Sequence, residues 1–475
     1  MSEKRTSPIS HLPEEILSEI FIQYACGSSR LCAMDFAQRH VNSVYQRAYT
    51  LLGVCATWRR VGLACPDLWK LVAITNQKDA GPRAPNELIL RRAAGNDLHL
   101  VFSDKEFRQG EFKVLDDHWH RFGRVSIQSE SESSHPAEIS KVLGPIIEHS
   151  SPGSISKLCL SKMYGSANYD LAEFEPHIYQ LIGSLAVFRI NRMHICWKNI
   201  AFSHRFVELC VAHIGLRNNS EILGFFAAIS STRELKVLKL IAILFDPSQL
   251  ETESVQMVSL PMLKFLYIER SYLNILDYIM SRIARGSYHL MLTLSTSTPR
   301  KFPLGVEPND VEYFFAFLRG VPVDELTLRG RGDSPWSHSS GLQRVLKSIP
   351  GLKALVIDEF IVNRDILMGF ERPPTLYSPM DNDAFPTLTR LEFHAVSFAV
   401  SLSELKPGFE TILNTHQLQT LVLGGTLRPA PGINGTPLDE NDEVVVWMRL
   451  NVPRVCVSFE PGREPYNSNW ELWDI

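Results

Sequence analysis

Two histidines, His118 and His120 in "DHWHRF", are the first residues whose type and spacing suggest metal or acid–base chemistry. Imidazoles two residues apart do not share a helical face; on a strand they would. No neighbouring cysteine or second acidic pair completes a ligand set, so a surface role is expected. "DNDAF" over 381–385 opens like a calcium loop, without that loop's glycine and closing glutamate. "RGRGD" over 329–333 lacks the third glycine and the strand–helix setting of a phosphate loop. No Gly-x-Ser-x-Gly elbow occurs. Cys159 sits in the apolar run "KLCL", where a buried thiol is inert. The expectation is a protein that binds rather than reacts, with no catalytic residue, metal or cofactor.

Composition narrows what it binds. At 475 residues the chain exceeds one ordinary core, so it holds several domains or grows by repetition. With 45% hydrophobic and 21% charged residues, wholesale disorder is not expected. A formal net charge of −4 offers no long-range attraction to phosphate backbones, which argues against nucleic acid. No window reaches the roughly 20 apolar residues of a membrane span; "LIGSLAVFRI" at 181–190 stops short. The N-terminus carries no signal-peptide pattern, so a cytoplasmic and/or nuclear location is expected. The eight scattered cysteines, without a Cys-x-x-Cys pair, fit a reducing compartment.

The elements that position a binding surface emerge from a repeat. Leu-x-x-Leu-x-Leu, loosely kept, appears as "ISKLCL" from Ile155, "LAVFRI" from Leu185 and a weaker "VAHIGL" from Val211. It returns as "LKVLKL" from Leu235, "LKFLYI" from Leu263, "VDELTL" from Val323, "LKALVI" from Leu352, "LTRLEF" from Leu388 and "LQTLVL" from Leu418. A weaker copy, "HLMLTL", fills the gap around Leu292. Apolar–x–apolar is a strand with one buried face. Between copies lie helical stripes: Ile139, Val142, Leu143, Ile146 and Ile147; Val311, Phe314, Phe315 and Leu318; Leu342, Val345, Leu346 and Ile349. Strand–helix alternation at this period predicts an α/β fold, an irregular leucine-rich-repeat-like solenoid with one parallel sheet, over 73–475. Few copies carry the asparagine that standard repeats place after the strand.

The first seventy residues read differently. In "SHLPEEILSEIFIQYA", Ser10 is a candidate cap, Pro13 suits the first turn, and Glu14 and Glu15 suit the positive end of the helix dipole. Leu12, Ile16, Ile20 and Tyr24 fall at steps of four, with Leu17 and Phe21 widening the stripe. A second helix is expected within 30–49 and a third within 51–64, ended by Pro66.

"LPEEILSEIF" followed by "VCATWRRVGLACPDLW" resembles the F-box, a helical module of substrate receptors, placed at 8–72 with an insertion at about 26–50. Leu12, Pro13, Glu15, Ile16, Leu17, Ile20, Phe21, Val54, Cys55, Trp58, Arg59, Leu68 and Trp69 match that pattern position by position. The ending "ACPDLW" is similar to fungal, mushroom-type F-box proteins. The resemblance implies the substrate-recognition subunit of an SCF (Skp–cullin–F-box) ubiquitin ligase, not itself an enzyme. Its partners would be a Skp-family adaptor, through it a cullin, and an unknown target protein. Leu12, Pro13, Ile16, Leu17, Ile20, Leu52 and Val54 would contact the adaptor; Phe21, Trp58 and Trp69 would form the module's core. The concave sheet face, including Lys239, Tyr267, Thr327 and Glu392, would hold the target. A leucine-rich-repeat scaffold that recruits no ligase is the alternative.

Overall fold

A computed structural model describes residues 12–26, 37–74, 86–93, 95, 97–103, 113–129, 136–149, 153–162, 169–170, 176–249, 257–303, 310–330, 334–373, 385–428 and 435–458. The chain divides into two compact units between Glu208 and Leu209.

The first unit opens with three helices, α1 (Glu14–Cys26), α2 (Ala37–Val54) and α3 (Ala56–Ala64). A single turn over Pro66–Trp69 ends the helical part, and strand β1 (Leu71–Ile74) follows. Helix α2 runs four residues into the segment expected to open the third helix. The break comes at Cys55, extended at φ −159°, whose Sγ accepts from the Trp58 amide and caps α3. Pro13, not Ser10, precedes the first helix directly, its carbonyl accepting from the Leu17 amide at 3.0 Å. Ser10 lies outside the described residues.

Parallel pairing joins β1 to β2 (Leu98–Ser103), β3 (Phe122–Ser129), β4 (Lys157–Lys162) and, past the two-residue β5 (Tyr169–Asp170), β6 (Val187–Asn191). The register aligns Val72, Leu100, Val125, Leu158 and Phe188 in one row, all fully buried. The pairing therefore starts three strands before the first repeat copy read in the sequence.

His99 on β2 is enclosed, with Nε2 3.1 Å from the Ser126 hydroxyl. Burial first, then Arg124 and Lys157, push its imidazole down to about 3. A depressed histidine folds neutral and must charge on unfolding. Its contribution is present above about 6.5 and is lost as pH falls toward 3. Urea midpoints measured across that window should fall with acid, and His99→Gln should flatten the slope.

In the second unit, after β7 (Met193–His194), the order is β8 (Glu208–Ala212), β9 (Val237–Ile241), β10 (Phe265–Glu269), β11 (His289–Leu294), β12 (Glu325–Arg329) and β13 (Ala354–Asp358). A short β14 (Ile361–Val362) flanks β15 (Arg390–Phe398), which is followed by β16 (Thr420–Leu427), β17 (Thr436–Pro437) and β18 (Arg454–Ser458). Pairing from β9 through β16 is parallel and follows chain order, the arrangement of a leucine-rich-repeat-like α/β fold. Ile268, Leu292, Leu326, Leu355, Leu391 and Leu421 stand in one buried row. Leu238 and Leu266 belong instead to the row of Leu290, two residues away. An even offset keeps every leucine on the same face. The weak copy at Val211 is displaced: the strand is β8, carrying Leu209 and Val211, with Phe206 just before it.

Crossover helices include α7 (Asn219–Ser230), α8 (Leu273–Arg282), α9 (Val311–Gly320), α10 (Ser339–Ser348), α11 (Arg364–Met368), α12 (Leu402–Thr415) and α13 (Glu443–Asn451). The first unit supplies α4 (Asn86–Arg92), α5 (Pro136–His149) and α6 (His177–Ser184). The leucine face meets these helices, as the rings of Phe393 on β15 and Phe409 on α12 show at 6.1 Å. Each fully buried leucine contributes about 1.5–3 kcal/mol, so the rows dominate stability.

The turn out of five of the strands repeats. Arg192, His213, Ala242, Arg270 and Glu359 each follow a strand's last residue, and each has φ between 50° and 60°. Non-glycine residues there cost about 1–2 kcal/mol. At three of these corners the amide donates to the next strand: His213 to the Ile241 carbonyl, Ala242 to Glu269 and Glu359 to His394, at 2.8–3.0 Å. This backbone ladder stands where standard repeats use an asparagine side chain.

Candidate functional site

The helical segment has two layers. Leu17, Phe21 and Ala25 face inward and are buried, with Leu51, Leu52, Val61, Leu68 and Trp69. The Phe21 ring lies 5.0 Å from that of Trp58, which is half-buried. Trp69 is fully enclosed and donates from Nε1 to the Gly62 carbonyl at 3.0 Å. Gly62 lets the helices approach closely, since a Cβ there would lie 2.5 Å from the Leu52 side-chain end and would push it aside. The Tyr45 hydroxyl donates to the Leu71 carbonyl, tying α2 to the first strand. Arg60 reaches back to Glu14 with two hydrogen bonds, at 2.5 and 3.0 Å, and that pairing holds the Glu14 carboxyl below its usual range. The double arginine is thus not idle: Arg60 joins α3 to α1, and Arg59 Nε donates to the Leu52 carbonyl at 3.1 Å.

The other face of α1 is uncovered. Leu12, Ile16, Ile20 and Tyr24, at steps of four, are 36–50% exposed, and Val54 is 56% exposed. Pro13 is exposed beside them. These large apolar side chains share one helical face and leave it exposed. Leu17 and Leu52, expected among the adaptor contacts, are 3% and 8% exposed and belong to the internal core. The spacing that widened the stripe at Leu17 also turns it inward, because position i+1 lies about 100° round the helix.

The polar face of the second unit's strands differs more from expectation. Lys239 and Glu392 are partly exposed, but Tyr267 and Thr327 are fully buried. Tyr267 donates to Glu269 at 2.6 Å, and its hydroxyl is pushed well above its usual range, by burial first and then by Glu269. Arg329 bridges Glu269 and Asp358 at 3.3 and 3.0 Å. Burial pushes the Asp358 carboxyl up against the opposing pull of Arg329. Further along, Arg390 pairs with Glu325, and His394 lies 2.6 Å from Glu392. A strand pattern of alternating polar residues does not reveal that these positions pair with one another across three strands.

His118 and His120 sit in a turn and a single 3-10 turn, with His118 Nδ1 3.4 Å from an Arg121 nitrogen. Cys159 is buried in β4. "DNDAF" lies outside the described residues except Phe385, and Arg331, Gly332 and Asp333 lie outside them too. Among the described residues no three His, Cys, Asp or Glu side chains form a metal-sized group, and no helix is long and apolar enough to cross a membrane.

No family profile matches the sequence, and no curated protein matches it. A solved structure described as a crystal structure of a TLR13–ssRNA13 complex aligns over 81% of this chain and 48% of its own, at 14% identity and a TM-score of 0.37. The chain spans about half the length of that structure.

Proposed function

We propose that this protein is the substrate-recognition subunit of an SCF-type ubiquitin ligase, an adaptor-binding receptor with no chemistry of its own. The observation that supports this most is the uncovered apolar row Leu12, Ile16, Ile20 and Tyr24 with Val54, standing over a separately packed core. A row that were only core would be covered by its neighbours; this one leaves α1 free to enter a partner's groove. Resemblance to the F-box points to a Skp-family adaptor as that partner, with a cullin recruited through it, in the cytoplasm or nucleus. The repeat sheet then carries the target protein, as repeat arrays present extended surfaces. Its accessible positions, such as Lys239 and Glu392, are the ones available for that contact.

The test is capture of a purified fungal Skp adaptor by the full chain. Ile16→Asp with Ile20→Asp should weaken binding at least about 100-fold, since two apolar anchors are each replaced by a charge desolvated on docking. Both side chains are exposed, so the thermal melt should not change. An adaptor that does not bind the wild-type chain sinks the ligase reading and leaves an interaction scaffold.

A further inference from the structure

The loop before α10 holds a cavity of about 500 Å³ that the proposed function does not use. That volume is typical of a small-molecule site. Among the described residues, Arg300, Arg344, His338, Ser334 and Ser340 line it, and no aspartate or glutamate does. Phe315 with three other apolar residues forms the rest of the wall.

Three observations make this a prepared anion site. The Ser334 hydroxyl is buried, its residue 2% exposed, and has no hydrogen-bond partner. Buried hydroxyls are almost always satisfied, so this one is a donor waiting for an acceptor. Second, α10 begins here with ten residues and its capping His338 makes no side-chain cap. Asp365 takes the Ser339 amide and hydroxyl at 3.1 and 2.6 Å. The amides of Ser340 and Gly341, next along the first turn, have no acceptor among the described residues. Helix amides of this kind bind oxyanions. Third, Arg344 is held with its guanidinium 4.0 Å over the Phe315 ring and one nitrogen 2.7 Å from Glu312, which is exposed outside the cavity.

A Cβ on Gly341 would lie 1.7 Å from the Pro335 carbonyl, so helix and loop are in direct contact. Trp336 is fully buried and donates from Nε1 to the Arg329 carbonyl at 3.0 Å.

We propose that this cavity binds a phosphate monoester. The oxygens would sit among Ser334, Arg300, Arg344 and the first turn of α10, and the organic group would lie against Val311 and Pro335, the half-buried apolar members of the wall. Arginine matches phosphate geometry through paired N–H bonds, and the apolar wall favours an ester over inorganic phosphate.

Isothermal titration of the full chain with phenyl phosphate should show one site, with inorganic phosphate at least about tenfold weaker and phenol silent. Arg300→Gln with Arg344→Gln should weaken phenyl phosphate about 100-fold, at about tenfold per charge-assisted bond. Ser334→Ala should weaken it about tenfold without altering the melt, because its hydroxyl has no partner to lose. Tighter binding of N-acetyl-phosphotyrosine amide than of glucose 6-phosphate assigns the site to phosphorylated side chains, and the reverse to soluble phosphate esters; either supports it. Phenyl phosphate binding no better than phenol, or binding unchanged in both variants, overturns it. Ile16→Asp with Ile20→Asp should leave this titration unchanged, so the adaptor reading and the phosphate site fail separately.

Discussion

Arg329→Met should destabilise the second unit by about 3–5 kcal/mol, the usual cost of removing one partner from a buried ion pair. Arg329 sits between two carboxylates that have almost no access to water: Glu269 is 0% and Asp358 2% exposed. Methionine fills much of the same space, so the loss would come from charge and not from a cavity. Arg270, 3.3 Å from Glu269, keeps one acid compensated, and Asp358 is the one left exposed to the low dielectric. The pH dependence follows. Asp358 already has its carboxyl raised by burial, with Arg329 pulling it down. A raised carboxyl folds more readily protonated: its contribution is full below the ordinary carboxylate range and is lost as pH rises through the folded value. Without Arg329 that value climbs further, so the variant's deficit should be small near pH 4 and large at pH 7. Urea titrations at the two pH values check this. An equal deficit at both would mean that the arginine acts through packing alone.

The second large effect is Trp69→Ala, expected to cost about 3–5 kcal/mol in the first unit. The indole is fully buried, hydrogen-bonded to Gly62, and stacked beneath Arg92 with the guanidinium 4.6 Å from the ring. It closes the segment where the three helices hand over to the sheet, so its removal opens a cavity at their junction. Loss of near-ultraviolet circular dichroism and a lowered urea midpoint are the readouts. Adaptor capture should fail with it, in contrast to the Ile16 and Ile20 double variant, which should lose capture at an unchanged midpoint.

What the sequence disclosed and what it concealed have physical reasons. The leucine rows were legible because burial on one face enforces period two, and Leu326, Leu355, Leu391 and Leu421 align as their spacing predicts. The same template, applied earlier and later, would also have found "FGRVSI" on β3 and "VPRVCV" on β18; each has its apolar positions but starts from a less typical residue. β2 breaks the template at Asp97 and could be read only as a strand. The uncovered row on α1 was visible as steps of four, whereas the inward turn of Leu17 and Leu52 depends on packing with Gly62 and Trp69. Burial of Tyr267 and Thr327 was invisible, because polar residues on alternate positions read as solvated whether or not neighbouring side chains cover them. The cavity by α10 left no motif, since its parts come from three separated stretches.

The corners after the strands have a consequence for how such a protein can change over generations. Register there is held by main-chain amides and carbonyls, which every amino acid except proline supplies. The positive φ at those corners disfavours β-branched side chains, yet arginine, histidine, alanine and glutamate all occupy them. Copies can diverge until only their greasy side betrays common ancestry, while the polar side is left open to acquire new partners.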